Sequence, residues 1–530
     1  MRWGNSVTGN RVELRSEGLS LADLEAVAHG LPLILSAEVC QRVEQSHERL
    51  ARYLKENRRI YGVTTGYGPL ADTLVGSDFS LDLQKNLIAH LSTGVGAPLS
   101  RIHTRATMAA RISALARGYS GISLDALDML TKCLNLDAIP VVPSMGTVGA
   151  SGDLTPMAHI VGAMMGEGEI GLGGFEPGPA KEVLAALGLS LFRPGGKDAL
   201  ALVNGTSAMT GIAGINGAAA GRALRWSALL CAGHAEVLNG RREAWDFAFG
   251  EVRPHPGQQR LHRWLNRLVQ KTETALDDSH GVEPGQLVYL GESFQDPYSL
   301  RCAPQLLGAV SDQIDWHDQT VGIELNSATD NPILPDNQDR VLHGGNFYGQ
   351  HVAFASDALA NAVITMGVHA ERRIARLCNP RLNKGLPAFL QPEQPGLQSG
   401  FMGAQVTASA LLAEMRIKAT PASIQSIPTN GDNQDVVTMG TIGARRTGEL
   451  LDLLSSLLAI DALMVAQALD LRIEENAGVS AGNAVNELLA WVRKRAPRLT
   501  NDRPLSEEIA RVARAVALPG TLVDGLAGFD

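Results

Sequence analysis

The chain has 530 residues, of which 45% are hydrophobic and 19% charged. That excludes a wholly disordered protein and predicts two or three domains or one unusually large helical one. A net charge of −9, from 46 basic and 55 acidic residues, argues against a protein that binds nucleic acid or anionic membranes by charge.

Cys40, Cys133, Cys231, Cys302 and Cys378 stand singly and no CxxC occurs. Neither a disulfide framework nor a zinc–cysteine site is indicated, and a reducing, cytoplasmic setting is expected. The N-terminus has no apolar run of the signal-peptide kind. Residues 1 to about 60 read as short helices, with apolar positions at helical spacing over Leu21–His29 and Ala37–Glu56. Tyr61-Gly-Val-Thr-Thr-Gly-Tyr-Gly-Pro69 is a loop by its glycines and proline. Helices are expected over Leu81–Leu91, Arg101–Arg117 and Ser123–Asn135, the last ended by Pro140 and Pro143. A Gly-rich segment follows from Gly146 to Gly152.

Residues 166–197 are rich in glycine and proline around one short helix, Ala180–Leu187, and read as a connection between domains. From Leu202 to about Leu471 the chain is a succession of long helices. Asn346–Cys378 runs without proline, its middle apolar on nearly every side, and Gln434–Leu471 is similar. Asp452, Asp461 and Asp470 make a buried helix the better reading of Leu450–Leu471 than a membrane span. Two amphipathic helices are expected after 476. The fold class is mainly α: a long central helical bundle over 201–475, a loop-rich N-terminal domain over 1–200, and C-terminal helices over 476–530.

Four segments stand out chemically. Gly149-Ala150-Ser151-Gly152-Asp153 lacks the second glycine spacing of a serine-hydrolase elbow and the lysine of a phosphate loop. An ordinary turn is one reading. The other is cyclisation: the Gly152 nitrogen attacks the Ala150 carbonyl, and loss of two waters, one from that carbonyl and one from Ser151, gives a methylidene-imidazolone. Such a ring is an electrophile that no unmodified side chain provides. Tyr61 sits in a glycine-flanked loop of the lid type; a phenol titrates near pH 10, so as a base it needs positive potential nearby. Arg301, in Tyr298-Ser-Leu-Arg301, is a candidate carboxylate clamp. The amide-rich clusters at Asn204–Ser207, Glu324–Pro332 and Thr429–Asp435 cap helices or donate to developing anions. The histidines form no HExxH or other metal pair, so no metal is expected.

In order along the chain, these segments resemble the aromatic amino acid ammonia-lyase family, which comprises histidine, phenylalanine and tyrosine ammonia-lyases and related aminomutases. The resemblance runs from about Leu21 to about Leu471 and is carried by Tyr61–Gly68, Gly146–Pro156, Asn204–Ser207, Tyr298–Arg301, Thr329–Pro332 and Asn433–Asp435. Pro297 stands where the family often has alanine and Met157 where leucine is usual; neither removes a reactive group. The resemblance implies an all-helical homotetramer with sites shared between subunits. It implies a prosthetic group, 4-methylidene-imidazol-5-one, formed autocatalytically from Ala150, Ser151 and Gly152, with no metal. Tyr61 becomes the base for the β-proton, Asn204 a partner of the ring, and Tyr298 an aid to the electrophile and amine. Arg301 and Asn331 become carboxylate ligands, and Phe347 and Gln434 line ring and substrate. His90-Leu91 matches the tyrosine ammonia-lyase pattern at the family's specificity position, and Gln434 stands where histidine lyases carry glutamate. The expected reaction is the deamination of tyrosine to trans-p-coumarate, with Asn430 and His90 at the para-hydroxyl. Phenylalanine deamination, tyrosine 2,3-aminomutation and a catalytically inactive helical assembly remain open at this point.

Overall fold

The computed structural model describes residues 7–8, 10–174, 176–269, 284–289, 293–475 and 481–529. The protein is mainly α. The expected N-terminal helices are present as Leu21–Ala28 and Ala37–Lys55, each opened by a serine, Ser20 or Ser36, whose side chain accepts an N–H of the first turn. Such a cap contributes about 1 kcal/mol. Ser80–Leu91, Arg101–Leu115 and Leu124–Asn135 follow, the last two capped by Ser100 and Ser123. Buried Arg105 closes two of these helices at their other end. Its Nε and Nη2 donate to Val27 O and its Nη1 to Leu134 O at 2.8 Å.

Short strands correct the reading of the first 60 residues as helices alone. Val7–Thr8, Arg11–Leu14 and Leu33–Leu35 form a three-stranded sheet, antiparallel and then parallel, which buries Val12, Leu14 and Leu33. The stretch 166–197 is likewise no linker. Glu169–Leu172 pairs with Ala138–Pro140 on one side and with Gly178–Pro179 on the other, and Ile170, Ala180 and Leu184 are buried in the core of the same unit. Ile170 on its strand and Ala180 and Leu184, four apart on one helix, anchor what glycine and proline made look loose.

The long helices are Ser207–Val237, Ala303–Leu325, Gln350–Cys378, Met402–Ile417 and Gly440–Glu475. The last starts six residues later than its composition predicts, because Met439 takes a left-handed φ of 54° that a helix cannot include. Gln350–Cys378 is long and apolar enough to cross a membrane, but 61% of its most apolar window is buried, as in a core helix. Beyond residue 480 the amphipathic pair is Asn483–Arg493 and Ser506–Ala517.

The chain divides into two compact units rather than three consecutive blocks. One comprises 1–218, 317–358 and 421–448; the other comprises 219–316, 359–420 and 449–530. Four of the five long helices run across a division point, and Met402–Ile417 lies within the second unit. The first unit has a core of Leu24, Val27, Ile112, Leu127, Ile160 and their neighbours. The second is knit by Leu229, Val363, Leu458 and Leu488.

Candidate active site

The loop ahead of helix Leu154–Met164 is compressed to the limit of what a backbone allows. Ser151 has φ 54°, in the left-handed region that costs a side chain energy, and Gly152 has φ 75°. A Cβ on Gly152 would lie 2.0 Å from the Gly205 carbonyl oxygen, so nothing larger than glycine fits there. The two strands are stitched across this contact: Asp153 N donates to Gly205 O at 2.8 Å and Gly205 N to Ser151 O at 3.1 Å.

Three helices of the first unit begin against this loop. They are Leu154–Met164, Ser207–Val237 and Gly440–Glu475, the last through Met439 N, which donates to Val148 O at 2.9 Å. Their N-termini direct partial positive charge at residues 148–153. Asp153 ties them together: it accepts from Met209 N at 2.7 Å and from Thr441 Oγ1. Burial pushes its carboxyl up to about 6, although the Thr441 hydroxyl and the Met209 and Ala208 N–H groups work the other way.

A cavity of about 880 Å³ opens beside Ala150 and Ser151. Gly152 lies behind its surface, against Gly205. Asn204 and Asn331 complete the floor, Tyr61 enters from the glycine loop, and His90 and Leu91 enter from helix Ser80–Leu91. Phe347, Asn430 and Gln434 supply the remaining wall. Ten residues singled out in the sequence therefore share one cavity, although they span more than 370 positions of chain.

Asn204 is 3% exposed. Its Nδ2 donates to Asp330 Oδ1 and to the Asn331 carbonyl oxygen, both at 2.9 Å. Both amide protons are thus spent on acceptor oxygens, so the polar atom it has left for the cavity is Oδ1. Asn204 is an acceptor here, not the donor expected of a cluster that serves developing anions. Asp330 also takes Lys197 Nζ on Oδ2 at 2.6 Å, with both side chains fully buried. Asn331 Oδ1 accepts from Gly344 N at 2.7 Å.

Tyr61 Oη accepts the Gly68 N–H at 2.8 Å, and Tyr61 N donates to His343 Nε2 at 3.2 Å. The Tyr67 ring stands edge-on to Tyr61, centroids 6.4 Å apart. Burial, aided by Tyr61, drives the Tyr67 phenol well above its usual range, with Gln84 opposing. Tyr67 is therefore a neutral wall that receives Gln84 Nε2 at 3.0 Å. His90 is exposed on its helix, and its Nδ1 lies 2.9 Å from the Asn86 carbonyl oxygen. That oxygen only accepts, so Nδ1 carries the proton and Nε2 is free to accept. Gln434 Oε1 is occupied by Thr429 Oγ1 at 2.8 Å, which leaves its amide N–H groups as donors.

Tyr298 and Arg301 do not line the cavity; they belong to the second unit. Tyr298 is 70% exposed, and the Arg301 guanidinium stacks on its ring at 4.5 Å. The segment is fixed from below: Trp245 Nε1 donates to Leu300 O at 2.8 Å and His369 Nε2 to Ser299 O at 2.7 Å. Arg373 donates to His369 Nδ1, which assigns that tautomer, and to Asp461. Although burial works to raise it, Arg373 and His234 hold the Asp461 carboxyl below its usual value.

Sequence reasoning missed Tyr67, Gln84 and the Lys197–Asp330 pair. The signal for Tyr67 was in hand, a second tyrosine in the same glycine loop. A lysine opening the apolar helix Asp198–Val203 was the signal for Lys197.

A helical protein with a glycine-compressed Ala-Ser-Gly loop, a loop tyrosine and an amide floor in one cavity matches one family. Residues 19–494 match the family described as aromatic amino acid lyase, and the chain belongs to it. It is a carbon–nitrogen lyase of the ammonia-lyase class. A tyrosine ammonia-lyase from Cereibacter sphaeroides is 47% identical over 507 residues, covering 93% of this chain and 95% of that one. A histidine ammonia-lyase from Symbiobacterium thermophilum is 40% identical, covering 94% and 95%. Among solved structures, a tyrosine aminomutase from Streptomyces globisporus superposes with a TM-score of 0.88 at 35% identity, covering 96% of this chain and 97% of that one.

Proposed function

We propose that the protein is a tyrosine ammonia-lyase, which converts L-tyrosine to trans-p-coumarate and ammonia. The observation that carries the reading is His90, whose free Nε2 is an acceptor on the cavity wall and suits the proton of a para-hydroxyl. Asn430 lines the same cavity. The 47% identity to a protein named tyrosine ammonia-lyase supports the same choice.

The Ala150-Ser151-Gly152 loop fits a self-formed methylidene-imidazolone, because its left-handed Ser151 and the Gly152–Gly205 contact demand small residues. That ring supplies an electrophilic methylene, an electron sink for the departing amine. Tyr61 takes the β-proton on Oη as its phenolate, whose charge the Gly68 N–H donating there steadies until the proton arrives. Asn204 Oδ1 accepts from the amine. Phe347 and Gln434 line the aromatic ring. Loss of the β-proton to Tyr61 and of the amine as ammonia leaves a double bond conjugated with ring and carboxylate.

The substrate carboxylate requires a cation, and no arginine or lysine lines the cavity among the described residues. Arg301 of a neighbouring copy, with Asn331, is the proposed clamp, and Tyr298 of that copy assists the electrophile, in a homotetramer. The 70% exposure of Tyr298 supports this. So do large apolar side chains left open on the wall segments, Leu70 at 68%, Leu81 at 63% and Ile427 at 63%.

The test is to incubate the purified protein separately with L-tyrosine, L-phenylalanine and L-histidine, following the unsaturated acid and ammonia. The expected result is the highest kcat/KM with tyrosine. A higher value with either other substrate, or a β-amino acid as main product, overturns the assignment. The intact mass should be lower than the sequence mass by two waters.

A further inference from the structure

We propose that Lys197 and Asp330 are positioning residues that hold Asn204 with its carbonyl oxygen towards the cavity, as the acceptor for the α-amino group of the bound amino acid. The inference rests on the ammonia-lyase reading of the cavity but not on the choice of tyrosine.

The geometry is closed and directional. Lys197 Nζ donates to Asp330 Oδ2 at 2.6 Å, with both side chains at 0% exposure. Asp330 Oδ1 accepts from Asn204 Nδ2 at 2.9 Å and from Asn331 N at 2.7 Å. The second proton of Asn204 Nδ2 goes to Asn331 O at 2.9 Å. A flipped Asn204 would set its own oxygen against these two oxygens with no proton between them, so the ion pair dictates which end of the amide meets the cavity. Asn331 Oδ1 already receives Gly344 N–H, so Asn204 is the floor amide that brings the open acceptor.

Stability alone does not account for the pair. Burying two charges often costs as much as their attraction returns, and well-packed apolar residues serve a core as well or better. Burial pulls the Lys197 ammonium down, with Asp330 opposing. A second fully buried cation, Arg111, also acts on Asp330 and has Nε and Nη2 without partners among the described residues. The carboxylate therefore faces two cations beneath Asn204.

Asp330→Asn is nearly isosteric and inverts the pattern. The Lys197 ammonium then claims the new amide's oxygen, and the new NH₂ faces Asn204. Asn204 is then drawn both ways, its oxygen to the new NH₂ and its own NH₂ to the Asn331 carbonyl oxygen, and no longer holds its oxygen towards the amine. Among tyrosine, phenylalanine and histidine, the substrate the wild type turns over best is compared with its own deaminated product, which lacks the amine. In Asp330→Asn the KM for the amino acid should rise at least about tenfold, while the Ki of the unsaturated acid stays within about threefold. Adding Lys197→Met removes the competing ammonium. The double variant should regain most of the affinity for the amino acid, a rescue that a purely structural pair would not give.

Equal weakening of both ligands, an unchanged KM, or a double variant no better than the single overturns the proposal. A wild type inactive on every aromatic amino acid would overturn the reading of the reaction instead. The same comparison is then made on the dissociation constants of tyrosine and p-coumarate, and the same outcomes decide it.

Discussion

The floor and the wall of the cavity are built on opposite principles. On the floor, Gly152, Asn204 and Asp330 are buried, and each is held by two or more hydrogen bonds or by a backbone contact that admits no side chain. On the wall, His90 and Asn430 are exposed, and Leu91 and Gln434 are half-buried. His90 is held through one ring nitrogen to its own helix, and Gln434 through one oxygen to the residue five earlier. A floor determined from several sides performs one chemistry. A wall attached by single bonds can be exchanged without disturbing it, which is how one fold serves relatives named for tyrosine and for histidine.

The largest effect is expected on the floor. Ser151→Ala removes the hydroxyl whose loss creates the exocyclic methylene, so ammonia release should fall to background while thermal melting and oligomer mass are unchanged. Near-normal turnover would mean that the loop is only a tight turn. Tyr61 joins floor and wall. Tyr61→Phe should lower kcat by about 10²–10⁴-fold with little change in substrate affinity, because only the transition state needs the proton acceptor. A change in KM alone would make Tyr61 a wall residue.

A third prediction concerns what the locked floor costs in stability. The Asp153 carboxyl is raised from 3.8 to about 6 by burial. Between those values the folded state binds the extra proton, so this group's contribution to stability declines as pH rises from 4 to 6 and is flat above. Asp153→Asn lacks that slope. Relative to wild type, the variant should gain roughly 3 kcal/mol between pH 4 and pH 7, at ~1.4 kcal/mol per pH unit over the raised interval. Denaturant titrations at the two pH values measure it. A pH-independent difference would show that Asp153 titrates normally.

The legible and illegible parts of the molecule divide along the same line. Reactive segments such as Tyr61–Gly68 and Ala150–Gly152 were readable because their chemistry is local in sequence. The helices Leu21–Ala28, Arg101–Leu115 and Leu124–Asn135 were readable from helical patterning. The short strands around Val12 and Ile170 were not, since a few residues between glycines and prolines carry too little periodicity. The Lys197–Asp330 bond joins residues 133 positions apart, and nothing local to either residue announces the other. The direction of the Asn204 amide was beyond reach for the same reason.

The smallest expected effect, and the one that addresses substrate choice, lies on the wall. His90 presents Nε2 as an acceptor because Nδ1 is spent on Asn86 O. If it takes the para-hydroxyl proton of tyrosine, phenylalanine leaves that nitrogen unpaired. A sealed polar site of this kind rejects the analogue lacking the hydroxyl by about 10⁴-fold. His90 is exposed, so water can replace the missing hydroxyl, and the discrimination should be nearer ten- to a hundredfold, by order of magnitude. His90→Phe removes the acceptor and offers an apolar surface. The tyrosine hydroxyl then loses its partner, while the phenylalanine ring gains contact. The ratio of kcat/KM for tyrosine to that for phenylalanine should fall by about tenfold or more. The floor is untouched, so kcat on the better substrate should stay within a few-fold of wild type. A ratio that does not move would assign the hydroxyl to Asn430 or Gln434. A collapse of kcat on both substrates would mean that the wall is as tightly coupled to the chemistry as the floor, and the distinction between the two regions would fail.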